Sequence, residues 1–122
     1  MSPISNILHG QYGEQTVITF LKKQGFTIRA CNFKKRCGEV DIIAAKNELL
    51  VFVEVKARQT HPNAVAELIP HSKQRKIITT ARSYIAQEGI MNKIIRFDVA
   101  LVCGGNVEYI ADAFTDFSQE LL

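Results

Sequence analysis

Two apolar, β-rich segments separated by three polar residues constrain this chain more than any other feature. Residues 39–45 and 49–58 are rich in valine, isoleucine and leucine, and Lys46, Asn47 and Glu48 lie between them. Segments of this length and composition are typical of β-strands, and a short polar connection is typical of a hairpin. We therefore predict an antiparallel pair of strands over residues 39–58.

The register of this hairpin follows from the length of its turn. If the turn is the two-residue Asn47-Glu48, Asp41 falls directly opposite Glu54 on the same face of the sheet. A four-residue turn gives the same pairing, whereas a three-residue turn breaks it. Two carboxylates that face each other across neighbouring strands repel and destabilise a sheet. The sequence thus predicts a positive charge between them.

Two kinds of cation are available to this carboxylate pair. Lys56 lies on the same face as Glu54 and supplies part of the charge, but an oxygen-seeking divalent cation such as Mg²⁺ explains the pair better. Glu14, on the inner face of the first predicted helix, adds a third acid. Metal-bound carboxylates beside a lysine suit phosphodiester hydrolysis, because the ion stabilises developing charge and activates an attacking water. Lys56 would orient or deprotonate that water, or stabilise the charged transition state.

The same residues also have a simpler explanation. Alternating apolar and polar residues are typical of a half-buried strand, in which Glu54, Lys56 and Arg58 would form the solvated face. Glu14 would then only complement the dipole of its helix. The metal site is favoured because Asp41 and Glu54 lie within strongly apolar strands.

The remaining elements follow from periodicity and glycine positions. We predict a helix from residues 11–13 to Gly25, a strand over residues 26–33, and an irregular loop over residues 59–70. A second helix is capped by Ser72 and ends at Gly89, and its basic face contrasts with an apolar stripe. Two last strands, over residues 96–103 and 106–113, flank a tight Gly104-Gly105 turn.

The resulting order, αβββαββ, predicts an α/β fold with a mixed sheet flanked by helices. The 122 residues, 47% apolar and 22% charged, fit a single domain over residues 1–122. We expect residues 1–10 to be flexible. We expect residues 114–122 to form a tail with a short amphipathic turn that packs back on the core through Phe114, Phe117 and Leu121.

Charge is segregated along the chain although the net charge is only +3. Residues 1–96 hold 15 basic residues against 7 acidic ones, whereas residues 97–122 hold 5 acidic residues and no lysine or arginine. One side of the protein would then attract polyanions, unless the charges are only those of an uneven solvated surface.

Several classes of protein are not expected. The longest apolar runs, such as residues 49–53, are far shorter than the roughly 18 residues of a membrane span, and no signal peptide is visible. The three cysteines show no CxxC spacing and the three histidines are scattered, which argues against a disulfide framework, a zinc site or a histidine-built centre. We expect a cytoplasmic protein with no membrane partner.

The hairpin residues resemble the Asp…Glu-x-Lys signature of the PD-(D/E)XK nuclease superfamily. The matching residues are 38–41, Gly-Glu-Val-Asp, and 54–56, Glu-Val-Lys. Val40 replaces the proline that names the superfamily, a variation that such nucleases tolerate. The chain is most similar to the small bacterial YraN-type branch, related in fold to Holliday junction resolvases, through Gly13-Glu14, GEVDIIA at residues 38–44 and LVFVEVKAR at residues 50–58.

This resemblance implies a restriction-endonuclease-like core and assigns roles to individual residues. It implies Asp41 and Glu54 as principal ligands of Mg²⁺ or Mn²⁺ and Lys56 as the catalytic amine. The remaining residues that it assigns are the Val55 carbonyl as a further ligand, Glu14 as an accessory acid, and Gln74 and Lys73 near the scissile phosphate.

The expected function is a metal-dependent DNA endonuclease, selective for branched or flapped structures rather than for sequence. The residues expected to contact phosphates are Lys34, Lys35, Arg36, Arg58, Lys73, Arg75, Lys76 and Arg82. A resolvase would need two active sites and hence a homodimer. The alternative is a nucleic-acid-binding or accessory protein with this fold and little catalysis. A purely structural module would leave the facing carboxylates unexplained.

Overall fold

The computed structural model describes the backbone of residues 3–59 and 68–116, and side chains from Tyr12 onward within those ranges. Two helices and five strands follow one another in the predicted order αβββαββ. They are α1 (Pro3–Lys23), β1 (Thr27–Lys35), β2 (Gly38–Lys46), β3 (Leu49–Arg58), α2 (His71–Glu88), β4 (Ile94–Cys103) and β5 (Asn106–Phe114). The predicted α/β class is confirmed.

The five strands form one mixed sheet in the order β1-β2-β3-β4-β5. Neighbouring strands are antiparallel except β3 and β4, which are parallel. A parallel pair needs a crossover connection, and the segment that contains α2 provides it. Strand β3 therefore lies in the middle of the sheet.

Each face of the sheet is covered by one helix. Phe52 of β3 packs on the α2 side, where it stacks on Phe97 at 5.7 Å and meets the Tyr84 ring edge-on at 6.1 Å between ring centroids. Val51 and Val53 pack on the opposite side with Val17 and Leu21 of α1. Because both faces of β3 are covered, a polar residue at its centre is buried rather than solvated.

Helix α1 is longer at its start than predicted. It begins at Pro3 rather than at residues 11–13. Proline fits the first turn of a helix, and interior glycines such as Gly10 and Gly13 cost only about 1 kcal/mol each.

Helix α2 begins differently from the prediction. His71 is its first residue and Pro70 its N-cap, with no side-chain cap, so the prediction that Ser72 caps the helix is wrong. The Pro70 carbonyl instead accepts hydrogen bonds from the backbone N–H groups of Lys73 and Gln74, both at 3.0 Å.

Three other expectations concern turns and ends. Gly89 has the left-handed conformation expected at the end of α2, and the Gly104-Gly105 turn pairs Cys103 with Asn106 as predicted. Phe114, predicted to begin a helical turn in the tail, is instead the last residue of β5 and stacks on Phe97, whereas Phe117 and Leu121 lie outside the described residues. No helix in the described ranges is both long and apolar enough to cross a membrane.

Substitution by alanine should change stability in opposite directions at two glycines. A Cβ on Gly13 would meet Ala57 and Val55 at 3.6 and 3.7 Å, which is ordinary contact, so Gly13→Ala should stabilise α1 by about 0.5–1 kcal/mol. At Gly38, where φ is +155°, a Cβ would lie 3.1 Å from Thr80 Oγ1. Gly38→Ala should therefore destabilise the protein by about 1–3 kcal/mol. Urea unfolding of both variants measures the difference, and equal midpoints would contradict it.

Candidate active site

The β2–β3 hairpin has the predicted register. Lys46 pairs with Leu49, and the ladder continues up to Ile42 opposite Val53. The next step along the two strands brings Asp41 beside Glu54. There the ladder gives way to a side-chain contact, because the backbone N–H of Val55 donates to Asp41 Oδ2 at 2.8 Å. The N–H and C=O of one strand residue face the same edge, so the Val55 carbonyl also faces β2.

Both carboxylates are buried. Asp41 is 8% exposed and Glu54 is 5% exposed, so neither belongs to a solvated face. Burial, together with the neighbouring charge of Glu54, raises the pKa of Asp41 to about 7. The hydrogen bond from Val55 acts in the opposite direction but does not offset burial. The repulsion between like charges that the sequence predicts thus contributes to the raised pKa of Asp41.

Two ammonium groups contact one oxygen of Glu54. Lys73 Nζ lies 2.8 Å from Glu54 Oε1, and Lys56 Nζ lies 3.3 Å from the same atom. Burial lowers the pKa of Lys56, and the nearby Lys73 ammonium acts in the same direction. Burial alone would lower the pKa of Lys73 too, but the contact with Glu54 raises it. Lys56 is therefore the amine that gives up its proton more readily.

Glu14 of α1 reaches the same end of the hairpin from the other side. Its Oε2 accepts a hydrogen bond from Asn32 Nδ2 at 3.1 Å. Asn32 lies in β1 at the position opposite Asp41, between the pairs Cys31–Ile42 and Phe33–Val40, and has a positive φ of 52°. The Glu14 charge adds to the rise in the pKa of Asp41, so the two acids sense each other. Sequence analysis did not single out Asn32.

Gln74 lies on the buried side of α2, as its spacing from Ile78 predicts. Its Nε2 donates to the backbone carbonyl of Ile69 at 3.0 Å. The Gln74 side chain thus binds the segment that precedes α2 to the helix. In that segment Leu68 and Ile69 are part of the hydrophobic core. Those two core residues were missed because they lie in a stretch without periodicity.

The residues present fit an open divalent-cation site. In the described part of the chain, no cluster of three or more histidine, cysteine, aspartate or glutamate residues is arranged to hold a metal. Mg²⁺ often needs only one or two carboxylates, with water and substrate phosphate completing its shell. Asp41, Glu54 and the Val55 carbonyl offer that set, and a cation there would relieve the repulsion that raises the pKa of Asp41.

Of the predicted basic residues, Lys73 contacts Glu54 of the carboxylate pair directly, and several others have partners elsewhere. Arg75 and Lys76 line a hollow of about 300 Å³ with Cys37, which follows Lys34, Lys35 and Arg36 in the chain. Lys34 is 3.5 Å from Glu39, and Arg58 Nη1 donates to its neighbouring Ala57 carbonyl at 2.9 Å. Arg82 instead pairs with Asp116, which lies beyond the end of β5 among the acidic residues of 97–122.

A third buried carboxylate, Asp98, was missed by the sequence analysis. Asp98 of β4 is fully buried and accepts both Arg96 Nε at 2.8 Å and Arg96 Nη2 at 2.9 Å. It also accepts the Tyr109 hydroxyl and the backbone N–H of Asp112. Burial and the contact with Asp98 raise the pKa of Tyr109. Asp98 stands within the apolar run 97–102, so the signal that identified Asp41 was present here too.

The fold and the hairpin residues together define a class of protein. A mixed five-stranded sheet in an αβββαββ chain is a restriction-endonuclease-like fold, and Asp41, Glu54 and Lys56 carry the signature of the PD-(D/E)XK nuclease-like superfamily. Residues 13–102 match a family described as "Uncharacterised protein family UPF0102", also called the YraN family. The chain belongs to this family, which is part of that superfamily. The resemblance seen in the sequence is therefore confirmed.

Full-length relatives support this membership. The chain is 38% identical over 108 residues to a UPF0102 protein of Persephonella marina, across 88% of this chain and 93% of the relative. It is 44% identical over 109 residues to a UPF0102 protein of Desulfosudis oleivorans, across 87% and 89% of the two chains.

Proposed function

We propose that this protein is a metal-dependent DNA endonuclease that hydrolyses phosphodiester bonds and selects branched or flapped DNA by shape. The observation that carries this proposal is the buried pair Asp41 and Glu54 at the end of the hairpin, with Lys56 on the same carboxylate. Burying two acids side by side is costly for a purely structural role, since an apolar pair would be more stable there.

The residues that would hold Mg²⁺ or Mn²⁺ are Asp41, Glu54 and the Val55 carbonyl, with Glu14 as an accessory acid. A divalent ion at such a site stabilises charge on the phosphate and makes water a better nucleophile. Asp41 binds a cation more readily above pH 7, where its carboxyl has lost its proton. Glu14 adds negative potential that favours a cation.

Lys56 is the proposed proton-transfer and charge-stabilising group. Its side chain is 16% exposed, so it lies inside the site with its end on Glu54. Because burial lowers the pKa of this amine, it loses its proton more readily than an exposed lysine, and the neutral amine can accept a proton from water. In its charged form it stabilises the pentavalent phosphate.

The proposed DNA surface consists of the β1–β2 turn and the first half of α2. Arg75 and Lys76 lie beside Cys37, and Cys37 is four residues from Asp41. A basic surface next to the carboxylates favours contact with phosphates, which is independent of base sequence. Arg82 is excluded from this surface by its pairing with Asp116.

The proposal predicts cleavage that depends on the hairpin residues. The protein should cut flapped or four-way DNA with Mg²⁺ or Mn²⁺, and Glu54→Ala and Lys56→Ala should each lower the rate by about a hundredfold or more. Gel analysis of end-labelled linear, flapped and four-way substrates measures this. Matched controls are Glu48→Ala and Lys93→Ala at the opposite end of the hairpin, where this pair lies 3.9 Å apart.

Two results separate the proposal from its alternative. Binding that weakens steeply with salt, without cutting under any metal, would identify an accessory nucleic-acid-binding protein. Cutting that survives both substitutions would mean that the site is elsewhere or that a contaminant is responsible.

A further inference from the structure

Lys73 lies where a metal cation would also be attracted. Its Nζ is 2.8 Å from Glu54 Oε1, closer than Lys56 Nζ at 3.3 Å. Both lysines therefore compete for the same carboxylate oxygen. Glu54 is 5% exposed, so water screens these charges poorly.

The two lysines differ in how firmly the fold holds them. Lys56 extends from β3 at the middle of the sheet, and its side chain is 16% exposed. Lys73 extends from the first turn of α2, and its side chain is 42% exposed. Rotation of the Lys73 side chain carries its ammonium into solvent, whereas Lys56 would have to leave the sheet face. Of the two ammonium groups, that of Lys73 can therefore move away from Glu54.

Charge balance supports this difference. Asp41 and Glu54 together neutralise one divalent ion. If both lysines also stayed on Glu54, four positive charges would face the three negative charges of Asp41, Glu54 and Glu14 in a largely buried site. Without a metal, the ammonium of Lys73 supplies the positive charge that Glu54 requires.

We propose that Lys73 is a built-in counter-ion that occupies Glu54 until a divalent cation displaces it towards the phosphate backbone of the nucleic acid. This inference rests on the proposed function and adds regulation to its site. Lys73 lowers the affinity of the free protein for metal. Nucleic acid offers the displaced ammonium a new partner, so metal and nucleic acid strengthen each other's binding.

The decisive experiment measures metal affinity in the absence of DNA. Mn²⁺ binding to the intact protein, followed by electron paramagnetic resonance, should be about tenfold tighter for Lys73→Gln than for the unmodified chain. Lys73→Arg keeps the cation, and Lys93→Gln removes a charge at the opposite end of the hairpin instead, so both should stay within about threefold. Circular dichroism checks that every variant is folded.

A second measurement follows the Lys73 amine directly. Acylation by an amine-reactive ester, quantified by mass spectrometry, should be slow at Lys73 in EDTA and several-fold faster with Mn²⁺, while acylation of Lys93 stays unchanged. Equal or weaker Mn²⁺ binding by Lys73→Gln, or acylation of Lys73 that does not respond to Mn²⁺, overturns the counter-ion role and leaves the nuclease proposal standing. Absence of Mn²⁺ binding by both the unmodified chain and Lys73→Gln overturns the metal centre as well.

Discussion

Asp41→Asn should abolish cleavage and yet stabilise the metal-free protein at pH 8. The charge on Asp41 is unfavourable in the folded state, because burial and Glu54 raise the pKa of Asp41 from 3.8 to about 7. Asparagine has nearly the same shape, and its side-chain oxygen can still accept the N–H of Val55. The variant therefore removes the unfavourable charge without creating a cavity.

The pH dependence of this effect has a definite sign. The folded protein holds the Asp41 proton up to about pH 7, whereas the unfolded chain loses it near 3.8, so ionisation destabilises the folded state increasingly between those values. At pH 8 the gain from Asp41→Asn should be on the order of 2–4 kcal/mol, and it should shrink towards pH 5. Cleavage, in contrast, should fall by about a thousandfold or more.

Thermal unfolding in EDTA at pH 5 and pH 8, paired with cleavage assays at pH 8, tests both halves of this prediction. In the unmodified protein, added Mg²⁺ should raise the melting temperature at pH 8, and Asp41→Asn should remove that response. A variant that is less stable than the unmodified protein at pH 8 would show that the Asp41 charge is not strained. A variant that still cleaves normally would exclude Asp41 as a ligand.

Asp98→Asn should have the opposite effect on stability. The Asp98 carboxylate accepts four hydrogen bonds, two of them from Arg96. An asparagine amide places N–H groups where donors already point, and it leaves the Arg96 charge without its acid. Loss of one partner from a buried ion pair costs about 3–5 kcal/mol.

Glu39→Gln is the matched control for Asp98→Asn. Glu39 also pairs with a basic residue, Lys34 at 3.5 Å, but both side chains are largely exposed, so the change should cost less than about 1 kcal/mol. Urea unfolding at pH 7 measures both variants. Equal midpoints for the two would mean that the Asp98 network does not stabilise the fold.

The strands and the register of the hairpin were predictable from the sequence. The apolar runs of β2 and β3 and the short turn between them set the pairing. Successive side chains point to opposite faces of a strand, and a turn of fixed length allows only one register. The glycine-bounded turns and the αβββαββ order followed from the same local rules. The start of α1 and the cap of α2 did not, because local preferences at helix ends are weak and the rest of the fold can outweigh them.

The composition of the site was only partly predictable. Asp41, Glu54 and Lys56 could be assigned to one face because they share a hairpin. The Lys73 contact with Glu54 joins α2 to β3, and the Asp98 network joins β4 to β5. Both depend on where separate elements pack.

The sequence by itself thus determined the register of the hairpin and placed Lys56 near Glu54, since backbone geometry decides both. Only the tertiary structure decided which of those residues are buried and that Lys73 also reaches Glu54. Burial and charge pairing arise between residues distant in the chain, when α1 and α2 cover the two faces of the sheet. Because the two helices cover the sheet, Asp41 of β2 and Glu54 of β3 are buried side by side at the proposed active site.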